Sequence, residues 1–455
     1  MDYQEALNIL TPLHQGQLLE YWEDLSSIQQ QNLLSQIEKL HIPTLQMQQE
    51  LLLLPEHHSR SILPFTNYTN AGSKQDFDTG KEMIARGLVG CLIVAGGQGT
   101  RLRLDGPKGI CPVTKIRHKN LFQLFAEKVI AAGKQAQRLL PLAIMTSPLN
   151  HNATVTFFEN NRLFGLDPSQ LSFFTQETLP FLDDDGNLFL QSPDSIAEGP
   201  DGNGGALHQF FHQGIWNEWH GKGVNYMNFV LIDNPLADPF DAELVGRHQR
   251  VGGDVIIKAT PKSHPKESVG VLAKEGNHTV VIEYTELGQN ERTATQPDGS
   301  LVYSLANISL FSFSMDFIKR LATNSKHPMP LHRAHKDTVK SNIAKPLKAW
   351  KFEKFIFDVL PQANGVEALV YPRERCFAPL KQFSGDNSIE TVASAIEAND
   401  RYALESITGM PCTISPLEVA QEFYYPTPNI IKTWHNRSVT QVGYIETGHK
   451  NWSEI

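Results

Sequence analysis

One stretch constrains this chain more than any other. The apolar run Leu92-Ile93-Val94-Ala95 passes directly into Gly96-Gly97-Gln98-Gly99-Thr100-Arg101, and Pro107-Lys108-Gly109 follows. Three glycines in four positions at the end of a strand let the backbone turn sharply and bring its N–H groups close to a ligand. Arg101 adds a planar fork of donors and Lys108 a point charge, which together suit a polyphosphate. Two familiar phosphate loops fail on spacing. A dinucleotide-binding fingerprint needs a glycine three residues after Gly99, where Leu102 stands, and this disfavours a nicotinamide dehydrogenase. A Walker loop needs Gly-Lys-Ser/Thr, and the Gly-Lys pairs at Gly80, Gly133 and Gly221 all lack the hydroxyl residue. Glycines alone would equally make a plain strand-to-helix turn; the two cations favour anion binding.

The surroundings of this loop predict an α/β fold. Short apolar runs at Leu92–Ala95, Leu142–Thr146, Phe229–Ile232 and Val255–Ala259 alternate with amphipathic stretches at Leu121–Ala132 and Ala242–Arg250. That alternation predicts βαβ units and a mostly parallel sheet. Residues 269–284 and 302–313 read as hairpin or mixed-sheet strands. Before this body, Leu18, Leu19, Trp22, Leu25, Leu33, Leu34 and Ile37 recur at helical spacing, and a loop is expected over Ser61–Gly80. A helix over Ile389–Ser406 introduces a Pro-rich, β-tending tail. The expected organisation is a helical segment at 1–80, a main body at 81–384 and a small C-terminal domain at 385–455.

Composition narrows the class. The formal net charge is −9, which argues against a nucleic-acid partner, so a polyanion must meet locally concentrated cations. Cys91, Cys111, Cys376 and Cys412 show neither a C-x-x-C pair nor zinc spacing, and read as reduced thiols. Met1–Leu10 lacks the pattern of a signal peptide, and no apolar run approaches the roughly 20 residues of a membrane span. A cytoplasmic protein without a membrane partner is expected.

The glycine loop resembles the signature loop of eukaryotic-type UDP-N-acetylglucosamine pyrophosphorylases, within the wider UDP-hexose pyrophosphorylase family. The likeness extends in order over roughly residues 15–385. It includes Gln17–Leu40, Phe173-Phe174-Thr175-Gln176-Glu177-Thr178-Leu179-Pro180, and Pro200-Asp201-Gly202-Asn203-Gly204-Gly205. The resemblance implies a Rossmann-like nucleotidyltransferase core at 81–384 that joins UTP to a hexosamine-type sugar-1-phosphate, releasing pyrophosphate. It implies that Gly97, Gly99, Thr100, Arg101 and Lys108 hold the triphosphate. Gln176 and Gly202 would read the uracil edge, and Asn203 would face the sugar. Enzymes of the wider family specific for UDP-glucose usually carry His where Asn203 stands, which favours an N-acetylhexosamine.

Asp233 closes the Phe229–Ile232 run at the carboxyl end of a strand, where α/β sheets bind ligands, and resembles the family's Mg²⁺-associated aspartate. Gly270, Glu283 and Asn307 resemble sugar-pocket elements, Phe352-Glu353-Lys354-Phe355 a lid-side segment, and Lys381 the lysine at the sugar phosphate. Arg101, Lys108 and Lys381 are therefore the expected catalytic cations, with no general base required. The chain departs from the pattern at Arg103, where a glycine is common, at Gly106, where an aromatic is frequent, and at Thr175. The cluster His332, Arg333, His335, Lys336 is assigned no chemistry. Two alternatives stay open: a UTP:glucose-1-phosphate or broad UDP-sugar enzyme, and a non-catalytic nucleotide-sugar-binding protein.

Overall fold

The computed structural model describes residues 1–54, 61–324, 328–339, 347–440, 442–448 and 452–454. The run before the glycines becomes the strand Val89–Val94, buried at every residue. It lies between two parallel neighbours, Tyr226–Leu231 and Leu142–Thr146, and Leu171–Thr175 pairs parallel beyond the latter. On the other flank Leu305–Ser314 runs antiparallel to both Tyr226–Leu231 and Val255–Pro261. Val366–Val370 and Tyr68–Asn70 then continue the sheet in parallel. The expected α/β core with a mixed, mostly parallel sheet is present. These strands read as continuous apolar runs because helices cover both faces. Leu121–Ala136, capped by the Asn120 side chain, buries Phe122, Phe125 and Val129 against the sheet. Lys74–Arg86 packs across Ala242–Val251, where a Cβ on Gly80 would lie 1.7 Å from the Ala242 carbonyl oxygen.

By its internal contacts the chain forms two units, and their boundaries differ from the three consecutive segments expected. One unit contains the sheet: Arg60–Thr175, Ala206–Lys326 and Val359–Ile455. The other gathers Met1–Ser59, Gln176–Gly205 and His327–Asp358. The reason is hydrophobic. The helices Tyr3–Leu10, Ser27–Glu38 and Ile42–Leu53 bury Leu10, Leu33, Ile37 and Leu45 against Leu179, Leu182, Leu188, Ile196 and Phe352, residues remote in the chain.

The stretch expected as a loop over Ser61–Gly80 is structured instead. It holds the short strands Ile62–Pro64 and Tyr68–Asn70 and the first turns of the helix capped by Ser73. Its polar composition conceals strands whose partners, Val271–Glu275 and Val366–Val370, lie far away in sequence.

The tail belongs to the sheet unit. The helix Ile389–Thr408 packs on a parallel strand pair, Leu417–Val419 with Gly443–Ile445, around Leu404, Phe423 and Trp434. Buried polar contacts attach it to the body. Glu418 accepts from the Ile116 and Arg117 N–H groups, and the Lys119 Nζ lies 2.7 Å from Glu127 and 3.0 Å from the Tyr444 hydroxyl. All four cysteines are free and buried. Among the described residues no helix is long and apolar enough to cross a membrane.

Candidate active site

Strand order fixes where a ligand can sit. From Val89–Val94 the chain proceeds outward to 142–146 and 171–175, then returns to place 226–231 on the opposite side. The order therefore reverses between strands 89–94 and 226–231, and a crevice opens at the carboxyl ends of strands around such a reversal. The glycine loop leaves one of these strands and Asp233 follows the other.

The loop is fixed by its own backbone. The Gly99 N–H donates to the Gly106 carbonyl at 2.9 Å, and the Lys108 N–H donates to the Gly97 carbonyl at 3.1 Å. A Cβ on Gly99 would stand 2.7 Å from the Leu104 Cβ, so this turn requires glycine. Gly97 is exposed, and a Cβ there would meet only Lys108 Cε, at 3.8 Å; space rather than turn geometry distinguishes it. Thr100 and Arg101 are exposed on the short turn Thr100–Leu102. Asn150, which sequence reasoning missed, anchors the entry to the loop. Its buried amide donates to the Ala95 carbonyl at 3.0 Å and the Gly97 carbonyl at 3.3 Å. Nothing local marks Asn150, because its acceptors lie on another strand's loop.

Three of the expected residues converge. The Lys108 Nζ and the Lys381 Nζ each lie 3.6 Å from Asp233 Oδ2, so two ammonium groups face one carboxylate oxygen. The convergence depends on Asn234, a second residue the sequence did not single out. Its buried side chain donates to the Cys376 carbonyl at 2.8 Å and accepts from the Ala378 N–H at 3.0 Å. The Leu380 N–H donates to the Asp233 carbonyl at 2.7 Å. Segment 376–380 is thereby held at the end of the strand, and Lys381 follows it into the crevice. Beneath, the buried Lys128 Nζ donates to the Pro235 and Ala237 carbonyls at 2.6 and 2.8 Å. Burial lowers this amine to about 8 against the opposing attraction of Asp238. Asp241 pairs with Lys258 at 2.5 Å and caps the next helix, which fixes the far end of the loop.

The crevice continues into a cleft of about 720 Å³ lined by Asp233, Gly270, Glu283, Asn307 and Lys381. Three of the four residues expected at the sugar, Gly270, Glu283 and Asn307, line this one cleft, and Asn203 does not. A bulge shapes this wall: Lys258 pairs with Leu310 but Ala259 with Asn307, leaving Ile308 and Ser309 unopposed, with Ser309 at φ 54°. The Asn307 N–H donates to the Gly270 carbonyl at 2.8 Å, and Asn307 Oδ1 accepts from the Ser309 N–H at 3.1 Å. A Cβ on Gly270 would come within 2.9 Å of Glu283 Oε1, so glycine there makes room for the carboxylate.

Gln176, Gly202 and Asn203 belong to the other unit. Gln176 is buried, and the strands Thr178–Pro180 and Glu198–Pro200 that follow it pair antiparallel. The Pro200–Gly205 turn grips residues 354–356. The Lys354 N–H donates to the Asp201 carbonyl at 2.7 Å, and the Gly204 N–H donates to the Lys354 carbonyl at 2.9 Å. Gly202 has φ 88° and lies too close to the Lys354 carbonyl for any side chain. Asn203 Oδ1 accepts from the Ile356 N–H at 2.9 Å, which commits the amide oxygen to this turn. Asp201 is wholly buried 3.1 Å from the Lys354 Nζ; burial pushes its carboxyl up to about 6, and Lys354 opposes the shift. In the basic cluster, Arg333 donates to the Leu51 and Leu54 carbonyls at 2.5 and 2.8 Å, and His332 lies 2.9 Å from Asp358. Those contacts secure the antiparallel strand pair His332–Val339 and Leu347–Glu353.

The family profile described as UTP–glucose-1-phosphate uridylyltransferase matches residues 56–443. UDP-N-acetylglucosamine diphosphorylase 2 of Arabidopsis thaliana is 30% identical over 413 residues, covering 85% of this chain and 81% of that one. UDP-N-acetylglucosamine pyrophosphorylase of Saccharomyces cerevisiae is 32% identical over 404 residues, covering 82% and 85%. Among solved structures, the UDP-N-acetylglucosamine pyrophosphorylase of Trypanosoma brucei in complex with an inhibitor superposes with a TM-score of 0.83 over 98% of both chains, at 22% identity, which establishes the shared fold.

Proposed function

This chain belongs to the UTP–glucose-1-phosphate uridylyltransferase family and is a sugar-phosphate uridylyltransferase, and from that premise we propose that it converts UTP and N-acetylglucosamine-1-phosphate to UDP-N-acetylglucosamine and pyrophosphate. The observation that carries the reading is the pair of lysines, Lys108 and Lys381, converging on Asp233 beside the glycine loop. The names borne by the Arabidopsis and yeast relatives support the amino sugar.

In the proposed reaction an oxygen of the sugar phosphate attacks the α-phosphorus of UTP in line. The bond from that phosphorus to the oxygen bridging the β-phosphate breaks, and its electron pair leaves with pyrophosphate. A phosphate dianion is already a competent nucleophile, so catalysis rests on positioning and charge neutralisation. Gly97, Gly99 and Thr100 would present backbone donors to the triphosphate. Arg101 and Lys108 would neutralise the leaving group, and Lys381 would align the attacking phosphate. Glu283 and Asn307 would bind sugar hydroxyls beside Gly270. Asn203, whose remaining donors are on Nδ2, would meet the acetamido carbonyl, and Gln176 and Gly202 would read the uracil edge.

Among the described residues no group of three or more His, Cys, Asp or Glu side chains could hold a metal. Asp233 alone still fits Mg²⁺, an ion commonly bound by one or two carboxylates with the remaining ligands drawn from substrate phosphates and water. Bound there, it would supply further charge neutralisation for the phosphates. A cytoplasmic setting agrees with four free thiols.

Pyrophosphate release measured with UTP against N-acetylglucosamine-, N-acetylgalactosamine- and glucose-1-phosphate, with and without Mg²⁺, tests the proposal. The highest kcat/KM is expected for N-acetylglucosamine-1-phosphate. A preference for glucose-1-phosphate would move the chain to the sibling activity, and UTP binding without turnover would make it a nucleotide-sugar-binding protein.

A further inference from the structure

Arg103 is one of the residues at which the glycine loop departs from the resembled pattern, and the structure gives it a partner. Its guanidinium carbon lies 4.5 Å from the centroid of the Phe383 ring. Arg103 holds φ 59°, a left-handed conformation that an L residue other than glycine adopts seldom without a reason. Its N–H donates to the Thr100 carbonyl at 3.1 Å, which closes the turn carrying Arg101. Phe383 is 45% exposed, a large apolar ring in solvent, and it stands two residues after Lys381. The turn that displays it is well formed. Both the Lys381 and Gln382 N–H groups donate to the Asn387 carbonyl, at 2.8 and 3.3 Å, and the Gln382 side chain donates to the Asp386 carbonyl at 2.6 Å. Asp386 and Asn387 line the same cleft as Lys381.

We infer that Arg103 and Phe383 form a clasp joining the phosphate loop to the lysine-bearing segment, so that Arg101, Lys108 and Lys381 are gathered before the nucleotide arrives. The inference deepens the function proposed above and rests on it. Arg103 acts here as a positioning residue, because its guanidinium is held over the ring. A cation over an aromatic face is a modest attraction at an exposed site, weak enough to release on each turnover. What it supplies is pre-organisation: a loop already held near its bound position loses less freedom when a triphosphate docks. The effect belongs to UTP affinity rather than to the rate of the chemical step.

The test uses the full chain and four variants: Arg103→Gly, which keeps the turn and removes the cation; Phe383→Leu, which keeps apolar bulk without a π face; Phe383→Trp, which keeps the face; and the double variant Arg103→Gly/Phe383→Leu. UTP affinity is read by calorimetry with Mg²⁺ present, and turnover with N-acetylglucosamine-1-phosphate by pyrophosphate release. Each of the two disrupting single variants is expected to weaken UTP binding by about two- to fivefold, with kcat within about twofold of the parent. Phe383→Trp should bind as the parent does, and the double variant no more weakly than either single one. Unchanged UTP affinity in the single variants, leucine serving as well as tryptophan, or multiplying losses in the double variant would each overturn the clasp. Parent protein that binds UTP without turnover would sink the catalytic proposal and leave the clasp to be judged on affinity. Parent protein that fails to bind UTP would overturn both.

Discussion

Lys108 and Lys381 approach Asp233 Oδ2 from different segments at the same 3.6 Å, a separation too long for a strong hydrogen bond. At an effective dielectric of about 20 the shielded Lys108 pair is attracted by roughly 4–5 kcal/mol before desolvation and the repulsion of the second cation reduce it, whereas Lys381 is half exposed and solvent screening cuts its share to about 1 kcal/mol or less. On the proposed function, either amine would turn to an incoming phosphate while the other stays beside Asp233. Arg101→Ala is expected to lower kcat/KM at least about tenfold, roughly 1.4 kcal/mol of transition-state stabilisation. Unchanged turnover would remove Arg101 from the mechanism. Lys108→Met and Lys381→Met should each reduce kcat, and the double variant should lose less than the product of the two, because both act on one charge centre. Asp201 provides a pH signature. Burial holds its carboxyl up at about 6, above the roughly 3.9 of an unfolded chain. The native state therefore binds more protons between these values, and stability falls as pH rises through that window. Lys354→Met removes the opposing cation and deepens the loss. The melting-temperature gap between parent and variant should be largest at pH 7–8 and close as pH falls from 6 towards 4. A gap independent of pH would contradict this account of Asp201.

Among the elements, the glycine loop was legible because everything it needs lies within the twenty residues Val89–Lys108: a buried strand, a turn, two cations. Asp233 was legible for the same reason, as a carboxylate ending an apolar run. The residues that organise these pieces were not. Asn150 and Asn234 are amides with no distinguishing neighbours, and each acts on backbone that folding alone brings near. Asn234→Ala would strand the Cys376 carbonyl and the Ala378 N–H in a buried place, costing about 1–3 kcal/mol. It should also lower kcat more than it raises KM for UTP, since Lys381 loses its support while the glycine loop keeps its own bonds. Equal stability and kcat in the variant, measured by urea unfolding and steady-state kinetics, would show that segment 376–380 does not need this clamp. The bulge opposite Ala259 was equally hidden, because an unopposed Ile308-Ser309 pair exists only relative to a partner strand.

For the molecule as a whole, the packing of the tail responds to the charge on one buried carboxyl. Asp400, on the helix Ile389–Thr408, accepts from the Tyr424 hydroxyl at 2.7 Å and the Val419 N–H at 3.2 Å, and burial pushes its carboxyl up to about 7. Its folded value again exceeds the unfolded one, so the native state releases this proton only near neutrality, and stability drops between about pH 4 and 7. Asn at this position cannot ionise. The urea midpoint of Asp400→Asn relative to the parent should therefore rise from pH 5 to pH 8, and a constant difference would exclude the mechanism. Division of the chain into two units shows where local reading stops. The apolar stripe Leu33–Ile37 announces a helix with a buried face, yet nothing near it says that Leu179, Leu188 and Phe352 provide the cover. By itself the sequence determined the central strands, the glycine turn and the family, because periodicity, turn geometry and motif spacing are properties of neighbouring residues. Tertiary structure alone decided which segments share a unit, how the strand order reverses to open the crevice, and that Lys108 and Lys381 meet at Asp233. Those outcomes follow from burying apolar faces and pairing backbone groups between segments remote in the chain.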